Sequence, residues 1–271
     1  MKYIIKKRPI KFLISIIDLI GSVIFVVVRF FHKKTPGNIA NILLVKLDNV
    51  ENTVLSTVVP KNLKLHYRGA KITFLVSTPA KNIVINNPYV DEVICYDAPW
   101  ITNRGKSFSE FLKFFKLVRE FSLHKYDIGF DLAVDFRHII LMSLAGVKFR
   151  VGYGVTGGGF LLHHLANFSY NIDKIENNID LLKSMGINIV SSMPKLYFSE
   201  EDSKFTQNLL KKNNIDSDDF LSLINTDAKY DSGDWRKEKF SELIDILREH
   251  FSSKIVVIGS KINVNICTLF Y

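Results

Sequence analysis

Short apolar runs alternate along this chain with longer stretches in which apolar residues recur every three or four positions. The runs are rich in β-branched and aromatic residues, as strands are, and lie at 42–46, 72–77, 92–96, 126–134 and 149–153. Helical periodicity fills the intervals between them at 79–86, 107–124 and 137–145. Strands separated by helices of this length predict an α/β fold with a parallel, doubly wound sheet.

The same alternation continues in the last third of the chain. Helical and strand-like patterns follow one another at 202–212, 220–225, 237–251 and 254–259. Two strands are fewer than a complete Rossmann-type half contains. We therefore expect a basic and apolar segment with a linker, an N-terminal Rossmann-like domain, and the start of a second, truncated domain of the same type, at 1–40, 41–198 and 199–271.

The run 42–46 leads into a polar turn at 48–52, after which a helical pattern opens at Thr53. α/β enzymes place reactive groups on such turns, at the carboxyl edge of the sheet. The residues from Lys46 to Asn52 are therefore the first candidates for a functional site.

Positive charge is concentrated at the start of the chain. The net charge is +9, and residues 1–40 hold eight lysines and arginines against Asp18 alone. These charges bracket an apolar segment, 12–28, which is short for a membrane span and has Asp18 near its middle. We expect a helix held in the surface of an anionic membrane; a full span and a buried core helix are the alternatives. Nucleic-acid binders spread basic residues over a folded surface, so no nucleic-acid partner is expected.

The two cysteines, Cys95 and Cys267, stand far apart and in no C-x-x-C pair. This spacing favours a reducing compartment and gives no sign of a disulfide framework or a structural zinc site.

The stretch 46–57 resembles the opening of glycosyltransferase family 9, the ADP-heptose:lipopolysaccharide heptosyltransferases. Their pattern reads roughly Lys/Arg-Leu-Asp-x-Ile-Gly-Asp-x-Val-Leu-Ser/Thr-Thr-Pro, and the matching residues are Lys46, Leu47, Asp48, Val54, Leu55, Ser56 and Thr57. Glu51 stands where the family has glycine, Asn52 where it has its second aspartate, and Val58 where it has proline. Four later segments resemble further family motifs in the same order, at 87–94, 126–153, 157–162 and 235–243.

The resemblance implies a GT-B architecture, in which two Rossmann-like domains bind the acceptor on the N-terminal side and the nucleotide sugar on the C-terminal side. It implies inverting, metal-independent transfer from an ADP-heptose-like donor to a lipopolysaccharide-core or other lipid-linked saccharide, at the cytoplasmic face of the inner membrane. No separate cofactor is implied. Asp131 and Asp135 stand four apart rather than in the D-x-D spacing of metal-dependent sugar transferases.

In the family, the aspartate at the Asn52 position is the expected general base, which takes the proton of the acceptor hydroxyl as that oxygen attacks the anomeric carbon. A carboxamide has no basic lone pair near neutral pH. Asn52 can instead hold the acceptor by hydrogen bonds, and it also fits the N-cap of the following helix. Glu51 is the candidate substitute base.

Further site residues follow from the motifs that the resemblance covers. The acceptor-side candidates are Lys46, Asp48, Arg137, Arg150, Gly157, Gly158 and Gly159. The donor-side candidates are Thr226, Lys229, Trp235, Lys237 and Gly259. Arg137 and Arg150 suit phosphate or Kdo carboxylates of an acidic acceptor, and either fits a structural ion pair as well.

Two classes of function remain open. The first is a heptosyltransferase-like enzyme that is impaired because the base position holds Asn52 and because we expect the donor-side domain to be incomplete. The second is a catalytically inactive, membrane-associated relative that binds or scaffolds, or the remnant of a gene.

Overall fold

In a computed structural model of the chain, the described residues are 37–99, 108–226, 235 and 237–259, together with 15, 16, 18, 19 and 21. The rest of the predicted apolar segment 12–28, the donor-side candidate Lys229 and the chain from 260 onwards lie outside them. The chain divides into two compact units, Met1–Tyr197 and Phe198–Tyr271. Within the described parts, no helix is long and apolar enough to cross a bilayer.

The first unit is built on a six-stranded sheet in the order β3-β2-β1-β4-β5-β6. All five neighbouring pairs are parallel. The strands are β1 (Asn41–Lys46), β2 (Lys71–Val76), β3 (Glu92–Cys95), β4 (Ile128–Asp131), β5 (Phe149–Gly152) and β6 (His164–Leu165). The predicted α/β fold with a parallel sheet is confirmed.

Strand β1 shows why this sheet is buried on both faces. Ile42 and Leu44 belong to one apolar cluster and Leu43 and Val45 to another, and all four are fully buried. Successive strand residues point to opposite faces, so the two clusters lie on the two sides of the sheet. A strand covered on both sides reads as an unbroken apolar run, which is what the sequence shows at 42–45.

Helices cover both clusters. The helices of the first unit are α1 (Val50–Ser56), α2 (Val58–His66), α3 (Lys81–Val84), α4 (Phe108–His124), α5 (Phe136–Leu144) and α6 (Lys174–Ser184). Helices α2 and α6 bury apolar residues in the first cluster. Helices α4 and α5 bury theirs in the second.

Several features of the first unit differ from the prediction, among them strand β6, which was not predicted. The helix expected to open at Thr53 begins at Val50, so the turn after β1 is shorter than the polar pattern indicates. Helix α6 was not predicted, although its sequence carries a start signal: Asp173 caps the helix by accepting a hydrogen bond from the Glu176 amide at 2.8 Å.

The second unit has two parallel strands, β7 (Leu221–Asn225) and β8 (Lys254–Ile258), and two helices, α7 (Glu200–Lys212) and α8 (Lys237–Phe251). Few of its apolar side chains are buried; Ile224 and Ile244 are, whereas Phe205 and Leu223 are more than half exposed. Helix α7 has no buried residue. The hydrophobic core of the chain therefore lies in the first unit.

Asp127 ties the start of β1 to the start of β4. Its Oδ2 atom accepts hydrogen bonds from the backbone amides of Ala40 and Asn41 at 2.9 and 3.0 Å, and its Oδ1 atom accepts one from Lys148 Nζ at 2.8 Å. Burial acts to raise the pKa of this carboxyl, but the Lys148 and backbone hydrogen bonds outweigh burial and lower it.

We expect Asp127→Asn to lower the free energy of unfolding by about 2 kcal/mol at neutral pH, because charge-assisted hydrogen bonds to two amides are weakened. The folded-state pKa lies below the unfolded value of about 3.9. The stabilisation is therefore present above that pH and is lost as the pH falls through the folded-state pKa. Urea unfolding at several pH values should show the two proteins converging in acid. Lys148→Met removes an exposed partner of Asp127 and should lower the free energy of unfolding by less than Asp127→Asn does.

Candidate active site

The strand order of the first unit reverses direction between β1 and β4. In open parallel sheets, ligands bind in the crevice that forms at the carboxyl ends of the strands at such a switch point. Lys46 ends β1 and Asp131 ends β4. The polar residues that follow these two strands therefore line the most favourable place for a site in this unit.

Four polar side chains form a continuous network at this crevice. The Lys46 Nζ atom lies 3.3 Å from Asp48 Oδ2. The Asn52 amide donates to the same Asp48 oxygen at 2.7 Å, and Lys174 Nζ donates to Asn52 Oδ1 at 2.6 Å. Both polar atoms of Asn52 are therefore engaged, one by an anion and the other by a cation.

Lys46 is the buried end of this network. Its ammonium also donates to the carbonyl of Leu132 at 2.8 Å, which joins the ends of β1 and β4. Burial lowers the pKa of Lys46, while the neighbouring Asp48 carboxylate acts in the opposite direction. A buried lysine with two oxygen partners is a positioning group for Asp48.

The structure shows that Asn52 does not cap the helix. The N-cap of α1 is Asn49, and Asn52 is the third helical residue. The interpretation of Asn52 as an N-cap is wrong, because the helix begins earlier than the sequence pattern indicates. From the first turn of α1 the Asn52 side chain reaches back to Asp48, which directly precedes the N-cap.

Glu51, the candidate substitute base, precedes Asn52 on α1 and is exposed. Adjacent helical residues point about 100° apart. The Asn52 side chain is turned towards Asp48 and Lys174, so the two residues do not present their polar groups at the same point.

Asp131 organises the other side of the crevice. Its side chain is fully buried and accepts hydrogen bonds from the backbone amides of Ala133 at 3.1 Å and Asp135 at 3.0 Å, and from His138 Nδ1 at 2.9 Å. His138 is equally buried, and its Nε2 atom has no hydrogen-bond partner among the residues that the structure describes. Between the two bonded amides, Val134 has a φ of 61°. A β-branched residue rarely adopts that conformation, so Asp131 holds a strained turn at the edge of the site.

The two candidate arginines have protein partners. Arg137 forms an ion pair with Asp135, which also caps α5. Arg150 is buried and donates to the carbonyls of Val147 at 2.6 Å and Leu161 at 2.7 Å. These contacts of the described residues tie both guanidinium groups to partners outside the network around Asn52.

The three candidate glycines form a loop of their own. Gly157 and Gly158 have positive φ values of 107° and 75°, which glycine adopts without strain. The Gly158 amide donates to Asp18 Oδ1 at 2.9 Å. A carboxylate from the N-terminal region thus accepts the hydrogen bond of a backbone amide in this loop.

The donor-side candidates lie in the second unit. Thr226 and Gly259 directly follow the adjacent strands β7 and β8, and the Thr226 amide donates to the Ile258 carbonyl at 3.0 Å. Trp235 is 55% exposed and packs on Phe240 with ring centroids 5.6 Å apart. Lys229 and the side chain of Lys237 lie outside the described residues.

Sequence reasoning missed Lys174 and His138. Lys174 opens helix α6, and the Asp-x-x-Glu capping pattern at 173–176 was the signal that could have placed it near a helix start. No sequence pattern indicates a functional role for His138, because a buried histidine within a helix cannot be told from other core positions by its spacing. The described residues contain no group of three or more His, Cys, Asp or Glu side chains arranged to hold a metal ion.

Comparison with solved structures finds the same fold. A glycosyl transferase family 9 structure from Veillonella parvula aligns with a TM-score of 0.74 at 18% identity, over 86% of this chain and 66% of its own length. Heptosyltransferase II from E. coli aligns with a TM-score of 0.65 at 18% identity, over 85% of this chain and 69% of its own. Heptosyltransferase WaaC from E. coli with ADP-2-deoxy-2-fluoro heptose aligns with a TM-score of 0.64 at 14% identity, over 84% of this chain and 72% of its own length.

The chain thus spans about two thirds of the length of these structures. Curated protein sequences give no match. The family model described as glycosyltransferase family 9 (heptosyltransferase) matches residues 114–266, more than half of the chain. The chain belongs to glycosyltransferase family 9, the heptosyltransferase family.

Proposed function

We propose that the chain is a heptosyltransferase-like glycosyltransferase of GT-B type that transfers a sugar from a nucleotide sugar to a lipid-linked saccharide. The first unit would bind the acceptor, and the second unit would bind the donor. Transfer would proceed with inversion and without a metal ion, and slowly, because no carboxylate stands at position 52. The related heptosyltransferase WaaC from E. coli, which was solved with ADP and with ADP-2-deoxy-2-fluoro heptose, supports a nucleotide-sugar donor.

The observation that carries this proposal is the network of Lys46, Asp48, Asn52 and Lys174 at the switch point of the sheet. Two cations, one anion and one amide at the carboxyl ends of the strands give a polar crevice in which sugar hydroxyls can be hydrogen-bonded. In a member of family 9, this is the place where we expect an acceptor hydroxyl to meet its base.

The engaged state of Asn52 favours a second candidate. An amide held between Asp48 and Lys174 can orient an acceptor, yet it cannot take up a proton. A relative that binds a saccharide without transferring sugar to it would show the same geometry.

We propose further that the protein works at the cytoplasmic face of the inner membrane. The support is the clustering of eight lysines and arginines around an apolar segment within residues 1–40. Anionic lipid attracts such a segment with about 1 kcal/mol for each cation near the surface.

An assay of sugar transfer separates the two candidates. The purified chain would be incubated with ADP-heptose and a Kdo-containing lipid saccharide, and acceptor-dependent ADP release would be measured beside acceptor binding by calorimetry. We expect binding together with slow, acceptor-dependent release. Lys174→Ala should weaken acceptor binding because it releases Asn52, and the matched control Lys183→Ala, on an exposed face of α6, should not.

Binding without any acceptor-dependent ADP release would identify the chain as the inactive relative. Acceptor binding that is the same in Lys174→Ala and in the wild type would show that the network does not form the site.

A further inference from the structure

The described N-terminal residues contact the glycine loop at two points. Positions 15, 16, 18, 19 and 21 are helical, and we call them the N-terminal helical segment. Asp18 is 8% exposed and accepts the hydrogen bond of the Gly158 amide at 2.9 Å. A Cβ atom added at Gly21 would lie 2.8 Å from the Phe160 ring. The segment and the loop are therefore in direct contact at both positions.

Asp18 and Gly21 are three positions apart and share one face of a helix. Ile16 and Leu19 are also three apart, and Ile16 lies about 200° around the axis from Asp18. Ile16 is 37% exposed and Leu19 is 67% exposed. The segment thus has one face that contacts the protein and another face that presents apolar side chains to the outside.

We propose that Asp18 and Gly21 dock the N-terminal helical segment on the loop at Gly157–Gly159, and that the opposite face, with Ile16 and Leu19, lies on an anionic lipid bilayer. The docked segment would hold the glycine loop beside the membrane surface. This inference rests on the membrane attachment that is part of the proposed function.

Charge complementarity identifies the occupant of the apolar face. Eight lysines and arginines flank the segment in the sequence of residues 1–40, which contains Asp18 as its one acidic residue. That one anion is turned inwards to the loop amide. The exposed side chains of Ile16 and Leu19 are apolar, and the sequence on both sides of the segment is basic. This composition binds anionic headgroups together with the underlying acyl region.

The docked carboxylate also explains the sequence of the segment. A carboxylate in the middle of a membrane span would be costly, and it would need a partner within the bilayer. Here its partner is the Gly158 amide. A helix lying along the membrane surface keeps this hydrogen bond, whereas a helix that crosses the bilayer would have to break it.

Two sets of variants of the full chain test the two faces separately. Asp18→Ala and Gly21→Leu alter the docked face, and the double variant Ile16→Gln/Leu19→Gln alters the outer face. Hydrogen exchange of the peptide that contains the Gly158 amide would be measured without lipid. Partition would be measured into phosphatidylglycerol/phosphatidylcholine vesicles and into phosphatidylcholine vesicles alone.

We expect Asp18→Ala and Gly21→Leu to speed exchange at the loop about three- to tenfold, because a hydrogen bond or its supporting contact is lost, and to retain vesicle binding. The outer-face double variant should keep slow exchange and lose roughly tenfold or more in partition, because apolar groups no longer enter the bilayer. Binding of the wild type should be stronger to the vesicles that contain phosphatidylglycerol.

Unchanged exchange in Asp18→Ala and in Gly21→Leu would overturn the docking contact. Unchanged partition of the double variant would overturn the lipid-facing side, and so would a wild-type dimer in lipid-free solution that the double variant dissociates. Failure of the wild type to bind any vesicle would refute the proposed membrane attachment itself, and the exchange measurement would still decide the docking contact.

Discussion

Asn52→Asp should raise acceptor-dependent sugar transfer by about 10²–10⁴-fold, the usual contribution of a general base. The new carboxylate would stand where the amide now donates to Asp48 at 2.7 Å, and it would keep Lys174 within 2.6 Å. Two carboxylates that share one site raise the pKa of one of them, and a base whose pKa lies closer to neutrality removes a proton more effectively. ADP release from ADP-heptose with acceptor present is the measurement.

Three controls make this result specific. Asn52→Ala removes the amide without supplying a base and should give no gain. Asn49→Asp adds a carboxylate at the exposed N-cap of the same helix and should give none either. An activity of the wild type that disappears in Glu51→Gln would show that Glu51 is the base, and an Asn52→Asp variant no faster than Asn52→Ala would refute the role assigned to position 52.

Asp131→Ala should lower the free energy of unfolding of the first unit by about 3–5 kcal/mol. The substitution leaves the fully buried His138 ring and the half-buried amides of Ala133 and Asp135 without their acceptor. It also removes the two amide hydrogen bonds that flank Val134, whose φ is 61°. Urea unfolding followed by circular dichroism measures the loss.

Asp131→Asn keeps one carbonyl acceptor, so its free energy of unfolding should lie between those of the wild type and Asp131→Ala. This variant keeps the prediction testable if the alanine variant does not fold. Asp180→Ala, on the exposed side of α6, is the matched control and should cost less than about 1 kcal/mol. A loss below about 1 kcal/mol in Asp131→Ala would mean that water replaces the carboxylate and that the turn does not depend on it.

Strands β1, β2, β4 and β5 could be predicted from the sequence because burial on both faces makes each of them a largely apolar run. The two-residue strand β6 is too short to give such a run and was not predicted. The predicted end of β1 is exact, whereas the ends of β2, β3, β4 and β5 were placed one to three residues too far, since the apolar pattern continues beyond the last paired residue. The run 126–134, for example, contains β4 at Ile128–Asp131. Helix α8, at Lys237–Phe251, has the predicted bounds, because its periodic apolar face is regular from end to end.

The site could be predicted only in part, because its members come from distant parts of the chain. One local stretch holds Lys46, Asp48 and Asn52, and all three were predicted as site residues from the sequence. Lys174 joins Asn52 across 122 positions, and Asp18 joins Gly158 across 140. No periodicity or local motif reports such pairs, which arise when the sheet assembles.

The order of the strands has a consequence for the folding kinetics. The pairings of β1 with β2 and of β4 with β5 are comparatively local, whereas the central pairing of β1 with β4 aligns Ile42 with Ile128. Closing the long loop between β1 and β4 costs chain entropy before the contacts between them form. The pairing of β1 with β4 should therefore form late in folding. The Lys46 ammonium donates a hydrogen bond to the Leu132 carbonyl across this pairing, 86 positions away in the chain. The crevice would thus take its final shape at the slowest step of folding, after the two halves of the sheet have formed.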